Sequence, residues 1–158
     1  MTQSSLFSCS NDWTGFIIRI TIAIVLFPHG AQKLLGWWNG HGYQSTMQYF
    51  TDTVNLPYFI GWLVIMIEFF CPLLLLTGFA ARIWAFLILV VMTGVIVTVQ
   101  NKYFFMNFFN DQDGEGMEFF LLMIGLCLAL IINGSGRFSI DSWIYLALQQ
   151  DSQNYEIY

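Results

Sequence analysis

The chain has 158 residues, enough for one domain, with 57% hydrophobic and only 9% charged side chains. A soluble domain carries about a quarter charged residues, so this chain has too little polar material to cover a globule, and its apolar side chains are expected to face lipid. The formal net charge of −5 rests on five basic and ten acidic residues with no basic run, which excludes nucleic acid as a partner.

The opening stretch MTQSSLFSCSNDW has neither a positive n-region nor a small-residue cleavage site. The apolar run behind it therefore reads as a permanent span and not as a signal peptide. A bilayer core roughly 30 Å thick needs about 20 helical residues. Four runs qualify, at about 15–35, 58–77, 83–99 and 117–133. They are continuous and rich in Leu and Ile instead of alternating, which disfavours strands. The predicted fold class is all-α, an integral membrane four-helix bundle in a single domain over 1–158.

Between the first two spans, Trp37 and Trp38 fall where an aromatic belt belongs. Tyr43, Met47, Phe50 and Val54 follow at helical spacing, predicting a short interfacial amphipathic helix over about 43–54. Gly78 to Arg82 reads as a tight turn, and about 100–116 as an aromatic, then acidic connection. After the fourth span, GSGRFSID reads as a glycine stop followed by a polar tail.

An even number of spans puts both termini on one side. Arg82, Arg137 and Arg19 lie towards that side, against Lys33 and Lys102 on the other, so the positive-inside rule favours cytoplasmic termini in a prokaryotic inner membrane.

Charge inside a membrane helix costs at least ~2.5–3.5 kcal/mol at the centre, so such residues face the bundle interior and are paired. The spans hold Arg19, His29 and Lys33 in the first, Glu68 in the second and Glu118 at the start of the fourth. Antiparallel packing makes Lys33, Glu118, His29 and Glu68 a polar ladder descending from the far surface, with Glu68 roughly 15 Å down and Arg19 nearer the opposite face. His29 and Lys33, four apart, share a helix face. Pro28 and Pro72 each deprive a carbonyl, of Ile24 and Glu68 respectively, of its usual amide partner, and two disturbed helices at one level are a common way to build a cavity. Structural alternatives stand beside these readings: Arg19 snorkelling, Glu118 complementing a helix dipole, Glu68 as a protonated, hydrogen-bonded carboxyl.

Metal chemistry finds no support. Cys9, Cys71 and Cys127 form no CxxC pair and no disulfide framework. Asp111 to Gly116 imitates the first half of a calcium loop, but Leu122 stands where the bidentate Glu is needed. Cys71, three residues after Glu68, has no third ligand placed by spacing.

RITIAIVLFPHGAQKLLG, IEFFCPLLLLTGFAAR and EFFLLMIGLCLALIINGSGRFSID together resemble the DoxX family of small four-helix membrane proteins, in order and register from Thr14 to about Trp143. Where members commonly carry Gly-Pro-Gly before the final Arg, this chain has Gly134-Ser135-Gly136, and NFFNDQDGEG lacks a histidine that relatives often have. Some members of the wider group are membrane subunits of thiosulfate:quinone oxidoreductase. The resemblance implies a subunit of a quinone-linked redox complex, not a stand-alone enzyme. It would hold a quinone at Arg19, His29, Lys33, Glu68 and Glu118, with Glu68, His29 and Glu118 as proton-handling candidates. The sequence itself shows no dinucleotide fingerprint or cysteine cluster, so electrons would come from a partner subunit. Two other readings remain: a non-catalytic accessory subunit of a larger complex, and a small transporter or proton pathway that would need to homo-oligomerise.

Overall fold

A computed structural model describes residues 13–109, 112 and 114–155, with side chains described up to residue 147. Cys9, Asp111 and Asp113 lie outside the described residues. Those described form helices joined by turns and loops, without a strand.

The helices are α1 (Trp13–Leu35), α2 (Gly42–Gln48), α3 (Tyr58–Thr77), α4 (Ala81–Thr98), α5 (Glu118–Asn133) and α6 (Ile140–Tyr155). Three of them, α1, α3 and α4, are long and apolar enough to cross a membrane. At 16 residues α5 is shorter, about 24 Å at the standard rise, and equally apolar. Helix α1 packs chiefly on α3, α4 chiefly on α5, and the contacts α3 to α4 and α5 to α1 close the ring. This is the helical bundle that the apolar runs predicted.

The core is a column of Ile22 and Leu26, Cys71 and Leu75, Ala85, Ile88 and Met92, and Met123, Cys127 and Leu130. Outside it the distribution is the reverse of a soluble protein. Val97 and Leu122 are each 67% exposed and Ile132 75%, on the faces turned away from the bundle axis. Surface of that kind is stable only against hydrocarbon.

Two segments depart from expectation. The interfacial helix is present, but its second half, Tyr49–Thr53, winds as a π-helix with Val54 N–H bonding the Tyr49 carbonyl. The wider turn carries Phe50 towards α3, where it and Met47 flank Gly61. The segment after Gly136, expected as a polar tail, instead forms α6. Its start is a serine cap: the Ser139 hydroxyl accepts from Ser142 N–H at 3.1 Å, and Asp141 stands in the first turn.

Residues 134–141 tie the turn face of the bundle together. Ala80, at φ 49°, starts α4 without any side-chain cap of its own. Asp141 supplies one from 61 positions away, accepting from Ala80 N–H at 2.7 Å and Ala81 N–H at 3.0 Å while 3% exposed. Replacing Asp141 with alanine orphans two amides at a helix N-terminus. Chemical unfolding in mild detergent should then show a loss of about 2 kcal/mol, with the asparagine variant losing less; parity between alanine and wild type would remove Asp141 from this role.

Candidate functional site

At the loop face two cavities share a wall. The larger, about 780 Å³, is an apolar slot between α2 with its π-helical turn, α3 and α4. Ile60, Leu63, Val64, Val90, Val91 and Val95 form its sides, and Ile60, Leu63 and Val90 are also exposed on the bundle's outer surface, so the slot opens towards lipid. Its polar residues, Lys33, His41, Ser45, Thr46, Tyr49, Thr98 and Gln100, come from the segments nearest the loop face. The smaller, about 330 Å³, is mostly apolar in surface but gathers the polar side chains His29, Lys33, Glu68, Gln100 and Glu115, with Met106, Phe119 and Phe120. Leu26 and Met92 are its buried floor. Lys33, Gln100 and Phe120 belong to both cavities.

Lys33 and Glu68 form an ion pair, with the carboxylate 3% and the lysine 31% exposed. Their meeting follows from the backbone. Pro72 removes the amide that would bond the Glu68 carbonyl. Gly30 lets α1 approach at that carbonyl, since a Cβ there would overlap the Glu68 carbonyl group and the Phe69 nitrogen. Gly30 and Glu68 are thus level, and Lys33 stands one turn above, about 4.5 Å, within reach of its side chain. The ladder drawn from residue counts set Glu68 much deeper than Lys33. The difference arises because α3 runs ten residues beyond this level to Tyr58, whereas α1 runs five to Leu35.

His29 lies beside the pair on the same cavity wall, its ring 5.7 Å from that of Phe119. Glu118 is not among the cavity residues; its carboxylate accepts from Met106 N–H at 3.3 Å and shapes the connection above the cavity. Arg19 is at the opposite end of the bundle, fully buried. Its guanidinium donates to the carbonyls of Arg137 at 2.9 Å, of Phe138, and of Leu75 and Leu76 at 3.5 Å each, and lies over the Phe16 ring. Of the five expected site residues the fold therefore brings together Lys33, Glu68 and His29.

Glu115 and Gln100 are polar cavity residues that the sequence did not single out. Glu115 belongs to the acidic part of the connection between α4 and α5; its carboxylate also accepts from Asn107 N–H at 3.1 Å, folding the connection back over the bundle. The available signal was a carboxylate one turn ahead of a span bearing no basic residue to pair it. At the entrance to α3, Tyr43 and Tyr58 share a hydroxyl hydrogen bond of 2.7 Å, which holds the Tyr43 phenol above its usual range. Among the described residues no group of three or more His, Cys, Asp or Glu is placed to hold a metal ion. Cys71 and Cys127 are buried thiols.

A family model described as DoxX matches residues 15–101, more than half of the chain, from α1 through α4. A protein of Bacillus subtilis (strain 168) named "Putative oxidoreductase CatD" is 27% identical over 129 residues, 82% of this chain and 85% of that protein. No solved structure matches.

Proposed function

Because the chain belongs to the DoxX family, we propose that it is the membrane subunit of a quinone-linked redox complex, with the apolar slot as the quinone site. The observation that carries this reading is the shared wall: a lipid-facing slot of about 780 Å³ whose polar end is Lys33, itself paired with Glu68 in a second, polar cavity. Ligand sites of roughly 300–1,000 Å³ with few polar groups at one end are the usual form for an apolar ligand with a polar head. The name of the Bacillus relative, an oxidoreductase, points in the same direction.

The residues present fit a quinone. When bound, it supplies the capacity to take up electrons and protons. Lys33 donates a charge-assisted hydrogen bond to a head-group oxygen, and Gln100 and His41 offer further polar contacts at the same end. Glu68 holds the ammonium in place and keeps its charge balanced in a medium where an unpaired ion is costly. The valines and isoleucines of α3 and α4 exclude water from the tail. Electrons come from a partner subunit, and the exposed rings of Phe104, Phe105, Phe108 and Phe109 on the loop face are its proposed seat, with the termini in the cytoplasm.

Gly94 provides the test, because it lines the slot and a Cβ there meets no atom within 4 Å. Purified protein in nanodiscs is titrated with a short-tail quinone, following quenching of its tryptophans. Gly94→Trp should leave the fold intact and abolish binding, and Lys33→Met should weaken it about 10- to 100-fold, the equivalent of one hydrogen bond to a charged group. Equal binding by wild type and Gly94→Trp sinks the slot as the site.

A further inference from the structure

The polar cavity differs at its two ends. Its loop end is made by Gln100, Met106 and Glu115, all from the connection between α4 and α5, and Glu115 is exposed. His29, on its wall, is exposed too. Its other end is closed by Leu26 and Met92, each 1% exposed. Beneath them Ile22, Leu75, Ile88 and Cys127, all at 0%, fill the axis of the bundle. A cavity of about 330 Å³ whose wall, although mostly apolar, carries a histidine, a lysine, two carboxylates and an amide has both the room and the polar partners to hold water. The close-packed apolar plug under it has neither.

We propose that this cavity is a hydrated proton-exchange chamber, open only to the loop side of the membrane, that serves the slot through Lys33. The proposal rests on the reading of the slot as a ligand site and adds a direction to it. Once a partner subunit had supplied electrons to a quinone in the slot, its reduced oxygen would take a proton from the Lys33 ammonium. The neutral amine would be reprotonated through chamber water by a proton entering from the loop side past Glu115 and His29, which restores the ion pair with Glu68. Release runs the same path in reverse. Glu68 faces Lys33 from α3, His29 from its own helix and Glu115 from the connection above; His41 and Tyr49 face it from the slot side. The turn side takes no part, because its buried charge, Arg19, is held by backbone carbonyls beneath the plug.

The experiment is substituted-cysteine labelling in sealed vesicles. Full-length Met106→Cys, His29→Cys and Ile88→Cys are each treated from one side at a time with a membrane-impermeant, cationic methanethiosulfonate, against the parent chain as background. Met106→Cys and His29→Cys should label from the loop side only, at rates within about tenfold of each other, and Ile88→Cys from neither. Labelling of His29→Cys from the turn side, or its failure to label while Met106→Cys reacts, overturns the chamber. Protection separates this from the slot reading: a short-tail quinone should slow labelling of Ser45→Cys, which lines the slot beside Lys33, and leave His29→Cys unchanged. Loop-side labelling of His29→Cys without protection at Ser45→Cys removes the quinone and leaves the one-sided chamber.

Discussion

Replacing Arg19 with leucine is expected to cost roughly 3–5 kcal/mol, enough to keep much of the protein from reaching its folded state. The guanidinium is 0% exposed and is shared between the turn at Arg137 and Phe138 and the C-terminal carbonyls of α3. Leucine fills part of the volume and removes the donor from the Arg137 and Phe138 carbonyls, each of which costs about 1–3 kcal/mol when buried without one, while the Leu75 carbonyl keeps its bond from Gly78 N–H. Lysine keeps the charge but lacks the planar fork that reaches several carbonyls at once, so Arg19→Lys should recover only part of the loss. Unfolding by SDS titration, followed by circular dichroism, ranks the three proteins. A leucine variant as resistant as wild type would return Arg19 to the status of a snorkelling side chain.

Gly30→Ala is expected to be severely damaging for so small a substitution, at about 3 kcal/mol or beyond. The added methyl would occupy the position of the Glu68 carbonyl, and that neighbour is backbone in the middle of a helix, which cannot swing aside. To admit it, α1 and α3 must separate, taking Lys33 away from Glu68. Gly125 is the matched control: a Cβ there meets nothing within 4 Å, and alanine should be neutral or improve helix stability by about 0.5–1 kcal/mol. Heat denaturation of both variants in the same detergent makes the comparison, and equal midpoints would mean that α1 and α3 do not approach at Gly30.

The contrast between Gly30 and Gly125 indicates what was legible in the sequence. Apolar runs revealed the helices, because the length and continuity of such a run reflect a physical thickness that the chain must match. Pro72 pointed to an unpartnered carbonyl at Glu68, and the fold uses that carbonyl as the place where α1 approaches. That Gly30 is what permits the approach depends on how far each helix projects past the crossing, which residue counts within a span do not reveal. Lys33 and Glu68 were both identified, but at different depths, for the same reason.

Arg19 and Glu118 mark a second kind of limit. Both were correctly seen as costly charges, yet their partners are main-chain groups, carbonyls at 137–138 and the Met106 amide, which every residue possesses and no motif advertises. Helix α6 was legible in part. Ser139 followed by Asp141 is a capping signature, but the preceding glycines and the polar residues beyond drew the reading towards a tail. The slot was not legible at all. Its walls are ordinary valines and isoleucines, and its volume exists because a π-helical turn sets Tyr49 and Phe50 along α3, a feature of hydrogen-bond register and not of composition.

The position of Arg19's partners also orders events in time. Arg137 follows Arg19 by 118 residues, so the first helix enters the membrane long before the carbonyls that will hold its buried charge have been synthesised. Until then the guanidinium sits in the first span without them, and the turn between α3 and α4 awaits Asp141 in the same way. The bundle is therefore sealed late in biogenesis, by contacts of the longest sequence separation, which form slowly and close the structure all at once. A chain interrupted before residue 137 would carry every residue of the ion pair, the slot and the chamber. It would still present an unlatched turn face, with Arg19 and the start of α4 lacking the partners that residues 137–141 supply.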